Sequence, residues 1–276
     1  MAENGIKHPA IRYHGGKFRL ASWIISHFPP HRCYVEPFGG AASVLLKKER
    51  SDAEVYNDLD DEVVNLFRVL RDPEQSEKLI QACALTPYSR TEFASSYEPT
   101  DDPVERGRRL IVRATMGFGS AGATKGRTGF RLDTKRNSAT AQKIWSRAPD
   151  NLIAVANRFA SVLVEHRDAV TCMQDHDTKS TLHFVDPPYL HDTRVMANAY
   201  YRHEMDNGQH MQLLEAVKKL QGMVIICGYD SSLYNDMLTG WRKETRTTAA
   251  NGKSGSVQRT ECLWINPNCQ KMAASK

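Results

Sequence analysis

Several common patterns are missing from this 276-residue chain, and each absence removes a class of protein. No apolar run approaches the ~18 residues that a membrane-spanning helix needs, and Met1 to Ala10 holds no apolar signal core, so neither a membrane span nor secretion is expected. The six cysteines (33, 83, 172, 227, 262 and 269) are scattered without a C-x-x-C pair, and the ten histidines form no H-E-x-x-H. Zinc and disulfides are therefore not expected, and reduced thiols point to a cytoplasmic protein. Cys33 and Cys227 fall in apolar runs, where a free thiol behaves as a small hydrophobe. The glycine pair Gly39-Gly40, in the turn after the first apolar run, is not part of a G-x-G-x-x-G dinucleotide-binding pattern, which counts against a nicotinamide dehydrogenase.

Acids are scarce in one place. Between Arg106 and Arg147 stand eleven Lys/Arg and one acid, Asp133, while the rest of the chain carries 26 basic and 31 acidic residues. A basic segment on a slightly acidic protein is the electrostatic footprint of a polyanion-binding surface. Its glycine-rich centre, Gly117 to Arg131, has five glycines and little periodicity. It reads as a flexible basic loop, with Phe118, Phe130 and Trp145 as stacking surfaces; the plainer reading is a solvated charged loop.

Elsewhere strands alternate with helices, which argues for an α/β fold with a mostly parallel sheet and helices on both faces. Cys33 to Glu36 reads as a strand, Pro37-Phe38-Gly39-Gly40 as a tight turn, and Ala41 to Lys48 as a helix. A second strand, Glu54 to Asn57, leads to Asp58, 22 residues after Glu36. In doubly wound sheets an acid at that spacing accepts hydrogen bonds from ribose hydroxyls. The turn has no basic residue to hold a pyrophosphate, so a nucleoside without phosphates fits better than NAD. Helices are expected over 60–70, 74–83, 104–116, 150–160, 206–220 and 232–238, with Met211, Leu214, Val217 and Leu220 as the buried stripe of the fifth. Strands are expected over 161–165, 223–227 and 261–266, the last preceded by a polar loop over 247–259, and Asp175 is a further acid ahead of the next motif.

That motif is His183-Phe184-Val185-Asp186-Pro187-Pro188-Tyr189-Leu190. Leu182, Phe184 and Val185 suit a buried strand, and the two prolines end it, since neither has an N–H for a sheet ladder. A carboxylate, two rigid residues with free carbonyls and a phenol ring are thus presented where open α/β sheets bind ligands. The set suits a flat heterocycle with an exocyclic amine.

Taken in order, Arg12-Tyr13-His14-Gly15-Gly16-Lys17, Val35-Glu36-Pro37-Phe38-Gly39-Gly40, Asn57-Asp58, Asp186-Pro187-Pro188-Tyr189 and Glu261-Cys262-Leu263-Trp264-Ile265-Asn266-Pro267 resemble the Dam-type (D12 class) DNA adenine-N6 methyltransferases, especially those of phages and prophages. The resemblance spans nearly the whole chain. It implies a seven-stranded Rossmann-like sheet binding S-adenosylmethionine, a discontinuous catalytic domain (1–85 and 150–276) and an inserted, mainly helical recognition domain (86–149). It further implies a monomer acting on duplex DNA by base flipping, with no metal.

By position, Tyr13, Lys17, Glu36, Phe38, Gly39, Gly40, Asp58 and Asp186 would face the cofactor, although relatives often have tryptophan where Tyr13 stands. Asp186, Pro187, Pro188 and Tyr189 would carry the chemistry. Arg113, Lys125, Arg127, Arg131, Lys135 and Arg136 are the expected DNA contacts. The hairpin sequences of GATC-reading members are not evident between Thr86 and Trp145, so the target sequence does not carry over. The alternatives are the same chemistry on RNA or single strands, and a DNA-binding relative without catalysis.

Overall fold

A computed structural model describes residues 6–124, 126–132, 134, 140–194, 201–252 and 255–269. In chain order the elements are α1 (Ala21–Ile25), β1 (Cys33–Glu36), β2 (Ala53–Asn57), α2 (Asp61–Arg71), α3 (Pro73–Leu85), α4 (Arg90–Ser95), α5 (Pro103–Met116), α6 (Ala121–Thr124), α7 (Ala141–Trp145), α8 (Ala148–Phe159), β3 (Val162–Glu165), α9 (Ala169–Asp175), β4 (Thr181–Val185), α10 (Asn207–Lys219), β5 (Met223–Tyr229), α11 (Ser232–Met237), β6 (Arg242–Gly252) and β7 (Gly255–Ile265). The strands form one sheet in the order β3-β2-β1-β4-β5-β7-β6. The first five are parallel, and β7 runs antiparallel to both β5 and β6. This is the Rossmann-like methyltransferase arrangement expected.

Helix starts follow local chemistry. Asp60, Asp72, Asp102 and Asp168 each accept a backbone N–H at the head of α2, α3, α5 and α9, and Asp206 with Gln209 forms a capping box on α10. One face of the sheet packs through Tyr56, Phe67 and Phe159, the last two stacked with centroids 4.3 Å apart. The opposite face is closed by Leu213, Leu214, Val217 and Trp264. Leu110, Ile111 and Met116 of α5 and Trp145 of α7 belong to the same core cluster as α2 and α8. Trp145 Nε1 donates to the Thr86 carbonyl at 2.8 Å, joining the two ends of the 86–145 segment. Inside, Glu54 of β2 lies between Lys48 (2.6 Å) and Arg158 (2.5 Å), all three buried.

Four expectations are corrected. Residues 41–48 form a series of turns, because Glu36 Oε2 captures the Leu45 N–H (3.0 Å) and Ala42 takes a positive φ of 53°, which interrupts a helical ladder. The 117–131 stretch is more structured than a free loop: it contains α6, and a bridge joins Gly117 to Phe130, whose ring packs on Tyr88 and Phe93. Residues 247–252 and 255–259 lie in the paired strands β6 and β7, whose threonine-rich start suits strands. On α10 the stripe passes through His210, Leu213, Leu214 and Val217, and Met211 is exposed.

Among the described residues no helix is long and apolar enough to cross a membrane, and no group of three or more His, Cys, Asp and Glu is placed to hold a metal. His27 and His31 stand four apart, but Pro29 and Pro30 separate them, and their rings pack edge-on against Trp23 and Phe28.

Candidate active site

The sheet's switch point lies between β1 and β4, where the order reverses and ligands bind beyond the strands' carboxyl ends. Glu36 is the last residue of β1, Asp58 follows β2, and Asp186 follows β4. All three line one cleft with Tyr13, Lys17 and Phe38.

The Pro37–Gly40 turn is held from both sides. Gly39 N donates to the Asn57 carbonyl (2.8 Å), Gly40 N to Asp58 Oδ2 (2.7 Å), and the Tyr56 hydroxyl to the Gly40 carbonyl (2.7 Å). A Cβ on Gly39 would lie 2.1 Å from the Tyr56 ring, and Gly40 has φ +46° with its missing Cβ 2.9 Å from the Tyr13 ring. Only glycine lets the chain pass so close. Glu36 accepts from Tyr34 Oη (2.8 Å) and the Leu45 N–H; burial pushes its carboxyl up to about 8. Asp58 Oδ1 accepts the Asp60 N–H (2.8 Å), and burial raises it to about 6. Each Asp58 oxygen keeps lone-pair capacity for a ligand hydroxyl. Next to it Leu59, 42% exposed, offers an apolar plate.

At the other end Lys17 Nζ lies 3.0 Å from Asp186 Oδ1, donates to the Gly15 carbonyl (2.8 Å) and sits 4.6 Å above the Tyr189 ring. Burial works against the Lys17 ammonium, but Asp186 and Glu261 more than reverse this and raise its pKa. Burial likewise raises the Asp186 carboxyl, with Lys17 pulling it down. The Tyr189 hydroxyl donates to Glu261 Oε2 (2.7 Å), and its ring meets Tyr229 edge-on at 4.7 Å. Pro188 lines the cleft, whereas Pro187 is buried.

Sequence reasoning missed Asp168, Tyr201 and Arg202, which line the same cleft. Asp168 had a signal: it lies just past β3, as Asp58 and Asp186 lie past β2 and β4. Arg202 grips both Asp60 oxygens (2.7 and 2.8 Å), and the Tyr201 ring packs on His14; neither had a periodicity to mark it. Asp175 is at the opposite end of α9 from Asp168 and pairs with Arg167 at 2.8 Å.

Residues 13–240 match the family of D12 class N6 adenine-specific DNA methyltransferases. The chain belongs to this family. It is similar to the DNA adenine methylase of Haemophilus influenzae, 23% identical over 250 residues that cover 85% of this chain and 84% of that one. The DNA adenine methylase of Escherichia coli K12 is 30% identical over 118 residues, 39% of this chain and 40% of that one. The one from Serratia marcescens is 34% identical over 61 residues, 22% of each. The methyltransferase thus transfers a methyl group from a donor to adenine N6 in DNA.

The expected DNA contacts of the methyltransferase are differently placed. Arg113 is buried, with Nη2 2.6 Å from Glu62 Oε2 and Nη1 on the Ser96 carbonyl, so its role is internal. Arg106, Arg108 and Arg109 are also paired, with Asp61, Glu62, Glu92 and Glu105. Arg127 is exposed, its guanidinium 5.2 Å from the Tyr97 ring, and Arg131 is half-buried. Lys125, Lys135 and Arg136 lie outside the described residues.

Proposed function

We propose that the methyl donor is S-adenosylmethionine and that the substrate is an adenine flipped out of duplex DNA at a specific site. The observation that carries this reading is the joint placement of Asp58, Asp186 and Lys17 in one cleft, with the Tyr189 ring fixed against Lys17. The cleft fits such a donor: its charged lining is Asp58, Asp60, Asp168, Asp186 and Glu204 against Lys17 and Arg202, both ion-paired. An acid-rich cleft favours a sulfonium cation, and Asp58 beside Leu59 suits a ribose next to a planar base.

When bound, the donor supplies a methyl group made electrophilic by the sulfonium. Everything else falls to the chain. Adenine N6 is a weak nucleophile because its lone pair is delocalised into the ring. Asp186 and the Pro187 carbonyl accept its two N–H bonds, which turns the nitrogen towards tetrahedral geometry, and the Asp186 carboxylate takes up the proton that N6 must lose. Lys17 pulls that carboxyl back towards the ionised form against the effect of burial.

Unstacking the base costs about a few kcal/mol. Stacking on Tyr189, worth about 1–3 kcal/mol, offsets much of this. Glu261, Tyr229 and Lys17 hold that ring in place before the base arrives, so little ordering cost remains. Residues 86–149 form the recognition unit in this reading, with Arg127 and Arg131 towards the phosphates. A monomeric enzyme in the cytoplasm completes this reading, and six free, buried thiols suit that compartment.

The test is methyl incorporation from labelled S-adenosylmethionine into duplex DNA, single-stranded DNA and RNA, followed by modification-sensitive sequencing. Label at adenine N6 within one recurring duplex sequence is expected. No incorporation into duplex DNA would overturn the proposal, and preferential labelling of RNA would reassign the substrate.

A further inference from the structure

The β6–β7 hairpin is longer than the sheet that carries it. β7 pairs with β5 only through Glu261–Ile265, yet β6 and β7 continue pairing from Thr247↔Thr260 out to Gly252↔Gly255. At ~3.4 Å per residue this free ribbon reaches about 20 Å. Its direction follows from the register. Glu261 faces Tyr229, the last residue of β5, so the residues before Glu261 extend beyond the carboxyl end of β5. That is the edge from which β4 presents Asp186 to Tyr189. The ribbon therefore overhangs the place where the adenine must enter.

Its composition suits a polyanion. From Thr245 to Thr260 there are three Lys/Arg and no Asp or Glu, and most of the other residues are Thr, Ser, Asn or Gln. Side chains alternate between faces with period two. Arg246 and Arg259 therefore share the face of Glu261, which holds the Tyr189 hydroxyl. The Arg259 guanidinium lies 5.0 Å from the Tyr229 ring, and Tyr229 touches Tyr189. Arg246 is exposed, 5.9 Å from the Trp23 ring, and Thr247, Gln258 and Thr260 are exposed on the other face. A two-stranded ribbon of this width is one of the elements that the DNA major groove admits.

We infer that the β6–β7 ribbon is a second DNA-binding element, separate from residues 86–149. It grips the duplex beside the flipped adenine through phosphate contacts from Arg246 and hydrogen bonds from the threonine and glutamine side chains. This rests on the DNA-methylating function proposed above. Arg259 joins the ribbon to the stacking platform, so docking of the ribbon also sets the approach of the base to Tyr189.

The test uses the whole protein. Binding of a labelled duplex containing the methylated site is titrated between about 50 and 200 mM salt for the native chain and for Arg246→Ala. The variant is expected to bind severalfold more weakly at low salt. Its log K against log[salt] slope should flatten by ~0.9, the share of a single neutralised phosphate, with an unchanged melting temperature and S-adenosylmethionine affinity.

Thr247→Cys provides an independent readout, because all six native cysteines are buried. An iron chelate tethered to that thiol should cut DNA on one flank of the target adenine. Native affinity and slope in Arg246→Ala, or cutting no more localised than by the free chelate, would overturn the inference. A native chain that methylates DNA while these variants show no effect refutes the ribbon alone; a native chain without DNA methylation refutes the functional reading beneath it.

Discussion

On the role proposed for Asp58, donor binding and fold stability depend on the same proton, and the two should respond in opposite directions. Burial raises its carboxyl from 3.8 to about 6, against the pull of the Gly40 and Asp60 N–H groups. A ribose hydroxyl donates best to the carboxylate, so on the proposed function S-adenosylmethionine would bind the ionised form. With a pKa of about 6, roughly nine-tenths of the molecules are ionised at pH 7 and roughly one-tenth at pH 5. The apparent donor affinity should therefore fall about tenfold across that interval.

Stability runs the other way. Because the folded pKa lies above the unfolded one, Asp58's contribution is fully present below about 4 and is lost as pH rises through about 6. Asp58→Asn should flatten both dependences. It also turns an amide N–H towards the Gly40 or Asp60 donor and removes a charged acceptor, a loss of about 1.5–3 kcal/mol in donor binding. Calorimetric titration at half-unit pH steps, with thermal unfolding on the same samples, reads both effects. A pH-independent affinity between 5 and 7 in the native protein, or an Asn variant that keeps the native pH profile, would refute the role given to Asp58.

Three further outcomes follow from other side chains. Lys17→Gln removes the ammonium 3.0 Å from Asp186 and leaves burial unopposed, so the acid limb of the kcat–pH profile should move to higher pH, measured at saturating donor; an unmoved limb counts against the pairing. Glu54→Gln strands the buried Lys48 and Arg158 and should lower stability by about 3–5 kcal/mol, read from the urea midpoint. Gly39→Ala places a methyl group 2.1 Å from the Tyr56 ring, which is packed on Phe67 and Phe159; a loss of about 1–3 kcal/mol in stability is expected, together with weaker donor binding by titration.

The sheet was legible because its strands are short apolar runs bounded by breakers: Cys33–Glu36 ends at Pro37, and Thr181–Val185 ends at Asp186-Pro187-Pro188. Asp58 and Asp186 were legible because each directly follows such a strand, and Glu36 because it ends one; Asp168, three residues past β3, escaped. What escaped was anything set by distant partners. The Ala41–Lys48 stretch has helical composition, but one carboxylate, Glu36, takes the Leu45 amide and diverts it into turns. Residues 247–259 looked like a polar loop because their sequence offers no run of large apolar residues to bury. Their pairing is backbone chemistry, and side-chain periodicity does not report it. Tyr201 and Arg202 enter the cleft from a segment with no regular element, and only the fold brings Arg202 to Asp60.

Charge is where counting along the chain misleads most. The excess of cations between Arg106 and Arg147 suggested one basic surface, yet Arg106, Arg108, Arg109 and Arg113 neutralise Asp61, Glu62, Glu92 and Glu105 and pin α5 against α2 and α4. Their energy serves the fold, and counterion release from DNA must come from other cations. Arg127 and the ribbon arginines, Arg246 and Arg259, lie against the rings of Tyr97, Trp23 and Tyr229, with no acid within hydrogen-bond reach among the described residues. Two smaller basic surfaces, one at Arg127 and one on the ribbon, would then share the grip on the duplex in the proposed reading. In that geometry the salt dependence of binding divides between the two surfaces, and neutralising either one should leave a measurable slope from the other.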